Sequence, residues 1–143
     1  MICRALALAV AAALALACAT GAARRFPPLP AGTDDAAARE VLGRFARALE
    51  QGRFDEAHVL LSARWRQGYT PGRLALDFRG AGPGARDAAA RVLRLVASGE
   101  PVVRGPGTAR LAESGERGAL LVVEAGGWRV DALEEPPHPA APL

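Results

Sequence analysis

"RGALLVVEAGGWRVDAL" (residues 117–133) decides the fold. It holds two short runs rich in β-branched, aliphatic and aromatic residues, "RGALLVVEA" (117–125) and "GWRVDAL" (127–133). Between them "AGG" (125–127) leaves room for only a tight turn, and two strands joined so closely pair antiparallel. Working backwards, "TARLAE" (108–113) is a third such run, separated from the hairpin by the turn-rich "ESGERG" (113–118), and "PVVR" (101–104) supplies a short fourth. The last third of the chain is therefore expected to be an antiparallel meander of three or four strands.

Upstream the period changes from two to about three and a half. Val41, Leu42, Phe45, Ala48 and Leu49 recur at helical spacing, with Arg39, Glu40, Arg44 and Arg47 assigned to water. Thr33 is the expected N-cap, Asp34 and Asp35 suit the positive end of the helix, and Gly52 ends it. Glu40 stands four residues before Arg44, the favourable order for a surface pair. A second helix is expected from Asp55 to Arg66, with Ala57, Leu60, Leu61 and Trp65 inward. Thr70 and Pro71 open a third, on which Leu74 and Phe78 share a face. "RGAGPGA" (79–85) reads as a loop. Residues 87–98 place Ala89, Val92, Leu93 and Val96 on one helical face, although "RVLRLVA" also has strand character. Three to four helices ahead of an antiparallel meander make the fold class α+β.

The 143 residues hold one domain. Met1–Ala17 carries one charge, Arg4, and then an uncharged Ala/Leu/Val run, long enough for a signal peptide and short of the roughly 20 residues of a spanning helix. "ATGAARRFPPLPAGT" (19–33) reads as a proline-rich tether, 34–134 as the domain, and 135–143 as a disordered proline-rich tail. The eighteen basic residues are all arginine and the formal charge is +3. They alternate with acids, as in "AAAREVLGRFARALEQGRFDEA", which describes solvated helix faces and not a nucleic-acid groove.

Two cysteines occur, Cys3 and Cys18, and the first lies in the leader. The exported domain then has no disulfide partner to offer. "LALAC" (14–18) resembles a bacterial lipoprotein signal, with Ala15 where leucine is favoured. The resemblance implies cleavage before Cys18, acylation of that residue as lipid attachment, and anchoring in the cell envelope. Ala19 after the cysteine implies the outer membrane facing the periplasm. The other reading is an ordinary A-x-A site, Ala17-Cys18-Ala19, cut before Thr20 to give a secreted or periplasmic soluble protein.

"VLGRFARALEQGRFDEAHVLLSARWR" resembles the opening helices of the nuclear transport factor 2-like superfamily, and "LLVVEAGGWRVDAL" resembles its final hairpin. The resemblance spans 34–134 and implies a cone of helices over a curved sheet of about six strands, more than are found here. Some relatives are isomerase- or dehydratase-type enzymes that use an Asp or an Asp/His pair in an apolar pocket. The corresponding residue types in this chain are Asp55, His58, Asp77 and Asp131. Asp55 reads more simply as the helix N-cap, and Asp131 alternates with the residues expected to be buried, so it is expected to point outward. A tetratricopeptide-type helical pair also fits "ALEQGRFDEAHVLL", but no second copy follows.

No catalytic set, metal-ligand set or cofactor motif stands out. The two histidines are eighty residues apart, and "GAGPG" lacks the lysine of a phosphate loop. Ser62 in "LLSAR" reads as a helix-end hydroxyl. Aromatic residues make up 5% of the chain, so each ring is expected to anchor packing. Trp65, Tyr69, Phe78 and Trp128 hold most of that surface and are the expected pocket-lining residues if the cone forms. The expectation is a lipid-anchored envelope protein that binds a protein partner or a small apolar ligand, with no cofactor. A small isomerase- or dehydratase-type enzyme is the alternative.

Overall fold

The computed structural model describes residues 26–112 and 118–135. The expected signal peptide, Cys18 and the tail beyond Glu135 lie outside the described residues. Five helices lead the chain: α1 (Asp35–Glu50), α2 (Phe54–Leu60), α3 (Ala63–Gly68), α4 (Pro71–Gly80) and α5 (Pro83–Ser98). Four strands follow, β1 (Val103–Gly105), β2 (Thr108–Ala112), β3 (Gly118–Glu124) and β4 (Gly127–Glu135), paired antiparallel in the order β1-β2-β3-β4. The fold is α+β, and its sheet sets the all-helical reading aside. Residues 87–98 are helical.

The β3–β4 turn follows from its sequence. Ala125 and Gly126 both have positive φ, 48° and 76°, and Glu124 pairs with Gly127 across them. Two consecutive left-handed residues match the twist of the flanking strands, which is why such hairpins favour glycine. The core lies between one face of the sheet and α1, α2 and α5. Val41, Leu42, Phe45, Leu60, Leu111, Leu121, Trp128 and Val130 meet there.

Several local expectations are corrected by the structure. The first helix is capped by Asp34, whose carboxylate accepts from Ala37 N at 2.7 Å; the Thr33 carbonyl accepts instead from Arg104 at 2.5 Å. The helix expected over 55–66 is two helices, because Leu61 turns extended and bridges Val130 of β4. Asp55 is not its cap, since α2 starts at Phe54. The loop at 79–85 shrinks to Ala81–Gly82, because Pro83 lacks the N–H that a first helical turn leaves unpaired anyway and so begins α5.

Arg44 is a further correction. It does not face water, with only 11% of its side chain exposed. Its Nε donates to Glu56 at 2.8 Å, and its two terminal nitrogens donate to the carbonyls of Pro28 and Pro27, each at 2.7 Å. The expected tether is thus laid on the domain from Pro27 onward. Leu29 packs against the core, and Gly32 N donates to Gly126 O at 3.1 Å. A Cβ on Gly127 would stand 2.7 Å from the Pro30 carbonyl, so a side chain there would displace this strap.

Candidate functional site

The break between α2 and α3 creates the site. Ser62 N donates to Val130 O at 2.9 Å, continuing the bridge that Leu61 begins, so the chain runs briefly alongside β4. The buried Ser62 hydroxyl then donates to Asp131 Oδ1 at 2.6 Å. Arg64 pairs with the same carboxylate at 2.7 Å, and the Trp65 indole N–H donates to the Asp131 carbonyl. Glu124 accepts from Ala63 N at 2.8 Å and pairs with Arg66 at 3.2 Å. Two carboxylates from the sheet therefore hold a six-residue helix that would be marginal alone.

Beside this junction lies an open cleft of about 200 Å³. Phe45 of α1, Leu61, Trp65 and Tyr69, Leu74 of α4, and residues 130–133 of β4 line it. Its surface is chiefly apolar. Trp65 is 39% exposed and stands edge-on to Tyr69, with ring centroids 5.7 Å apart. Asp131 is the one carboxylate among the lining residues, and it is engaged by Ser62 and Arg64.

The structure divides the four aromatic residues singled out in the sequence. Trp65 and Tyr69 come together in the cleft. Phe78 packs on Phe54 with centroids 5.8 Å apart, and Trp128, 1% exposed, donates its indole N–H to the Asp34 carbonyl. Neither lines the cleft. Phe45, Leu61, Leu74, Val130 and Leu133 were not foreseen as lining residues, because in sequence they carry only the periodicity of core positions.

The titratable candidates do not gather at the cleft. Asp77 accepts from the Tyr69 hydroxyl and pairs with Arg73 at 3.0 Å. Asp131 does not point freely outward: its side chain is 14% exposed, because α3 covers it. Arg129 is buried, and its Nε finds no hydrogen-bond partner among the described residues. Burial and the neighbouring Arg66 push its pKa down, while Glu124 opposes the shift.

His58 Nε2 lies 2.6 Å from the Tyr69 carbonyl, so the ring donates to it and ties α2 to the cleft wall. Burial first, then Arg66, lower its pKa below the ordinary value of 6.5, and Asp55 acts weakly the other way. The folded state thus prefers the neutral ring. Its contribution to stability is complete above the unfolded pKa near 6.5 and is lost as pH falls through the depressed folded value. The urea midpoint should fall between pH 7.5 and 5, and His58→Gln, which keeps an N–H donor, should flatten that dependence. An unchanged slope in the variant would show that His58 is not its source.

Among the described residues no helix is long and apolar enough to cross a membrane. Comparison of this chain with protein-family models, with curated proteins and with solved structures finds no match.

Proposed function

We propose that this chain is a lipid-anchored protein of the bacterial cell envelope whose domain binds an apolar ligand or peptide without catalysis. The observation that carries the binding reading is the cleft: apolar walls, the exposed Trp65 ring edge-on to the half-buried Tyr69, and one lining carboxylate already held by a hydroxyl and a guanidinium. A general base needs free reach to its proton and a tuned pKa, whereas apolar walls with few fixed polar groups suit recognition. The nuclear transport factor 2-like resemblance supports a cavity at this place, between helices and sheet. The anchor rests on "LALAC" and on the lack of any later cysteine. Two or more acyl chains would hold the protein stably, where one gives only marginal binding.

Mass spectrometry of the protein isolated from bacterial membranes tests the anchor: the wild type should begin at an acylated Cys18, and Cys18→Ser should carry no lipid. A wild type starting at Thr20 would make the protein soluble. The cleft is tested with the apolar fluorophore anilinonaphthalene sulfonate and the unacylated Cys18→Ser chain. Trp65→Ala in that background should weaken binding at least tenfold, as loss of a large aromatic contact does at binding hot spots. Equal binding by both would place the probe elsewhere.

A further inference from the structure

Trp65 and Tyr69 belong to two hollows at once. Besides the cleft, a second hollow of about 280 Å³ is lined by Arg64, Trp65, Gly68 and Tyr69. The polar handles of both rings are already engaged, the indole N–H by the Asp131 carbonyl and the phenol by Asp77. What the pair offers a ligand is ring surface, bordered by Arg64, whose guanidinium stacks on Trp65 at 5.3 Å. Exposed aromatic rings beside shallow hollows are the surface on which polyproline II segments dock, because a proline ring packs flat on them and the peptide is already ordered.

The strand that walls the cleft leads into such a segment. β4 contributes residues 130–133 to the lining and ends at Glu135, and "PPHPAAPL" (136–143) follows, four of whose eight residues are proline. Pro136 and Pro137 have no N–H with which to extend the ladder. The Asp131 carbonyl held by Trp65 lies four residues before Glu135, about 13 Å of strand at about 3.3 Å per residue. Eight residues in polyproline II extend about 25 Å. A segment of that length is long enough to span back from Glu135 to the aromatic pair. A segment tethered this closely also has an effective concentration in the millimolar range.

We propose that residues 136–143 occupy the groove over Trp65 and Tyr69 of the same chain, as an intramolecular competitor for whatever the cleft binds. This rests on the cleft being a binding site, and the test separates the two. The Cys18→Ser chain is compared with the same chain ending at Glu135 and with a full-length Pro137→Ser/Pro139→Ser variant, which keeps the tail but not its conformation. Trp128 is buried, so acrylamide quenching of tryptophan fluorescence reads Trp65. Quenching should rise at least twofold and anilinonaphthalene sulfonate should bind at least fivefold more tightly in both altered chains, and added PPHPAAPL peptide should reverse both effects. Unchanged quenching and binding, with Trp65→Ala still abolishing probe binding, would overturn the tail proposal and leave the cleft reading standing. Absence of Trp65-dependent probe binding in every chain would overturn the cleft reading. Protection that appears only as protein concentration rises would place the tail on a second copy and overturn the intramolecular proposal.

Discussion

Trp128→Ala should remove about 3–5 kcal/mol of stability, the range for deleting a large aromatic from a packed core. The ring is 1% exposed and sits where β4 meets the start of α1. Its indole N–H donates at 3.1 Å to the Asp34 carbonyl, the same oxygen that receives the first helical hydrogen bond from Ala38. Arg104 lies over its face at 5.1 Å while reaching Asp35 and the Thr33 carbonyl. One side chain thus joins the hairpin, the helix cap and the end of the strap. Domains of this size are typically stable by about 5–15 kcal/mol, so the variant should sit near its unfolding threshold. Trp128→Phe keeps most of the volume and loses the indole donor, at an expected cost of about 1–2 kcal/mol. Urea unfolding followed by far-ultraviolet circular dichroism measures both. A change under about 1 kcal/mol for the alanine variant would mean that the core is not organised around this ring.

Glu56→Ala should cost about 3–5 kcal/mol, because it strips the counter-charge from a guanidinium that is itself nearly buried. Glu56 is 2% exposed and accepts from Arg44 and from Arg53. Arg53 is almost half exposed and can find water instead, so the larger share belongs to Arg44. Arg44→Met combined with Glu56→Leu should recover much of the loss, since apolar residues of similar volume need no partner. A double-mutant cycle reads this directly, and additive losses would show that the two side chains do not act as a pair. Arg44 also holds Pro27 and Pro28, so Arg44→Met alone should be cleaved faster by protease within residues 26–33.

Much of the fold was legible because local chemistry and global packing agree. The "AGG" turn demands left-handed backbone, the runs around it demand a sheet, and Thr70-Pro71 opens α4 with the Thr70 hydroxyl accepting from Arg73 N at 3.1 Å. The stripe Val41, Leu42, Phe45, Ala48, Leu49 is buried as its period implies. Legibility failed where a residue took a partner distant in sequence. Arg44 looked like half of an i,i+4 pair with Glu40, and its carboxylate is Glu56. The run from Asp55 to Arg66 looked like one helix, and β4 breaks it at Leu61. Asp131 looked like an outward strand position, and α3 folded over it.

The same division separates the fold from the candidate site. Secondary structure, the order of helices before sheet, and the aliphatic core follow from spacing and turn chemistry within a few residues, which the chain carries wherever it is placed. The cleft does not. It exists because Leu61 and Ser62 leave the helix to bond Val130, because Asp131 and Glu124 hold α3 against the sheet, and because Trp65 and Tyr69 are thereby left standing together. Each of those contacts joins residues about sixty or more positions apart. Hydrogen bonds and ion pairs at such separations depend on where the packed core brings the backbone, so no local pattern announces them, and only the tertiary structure selected these two rings from the four.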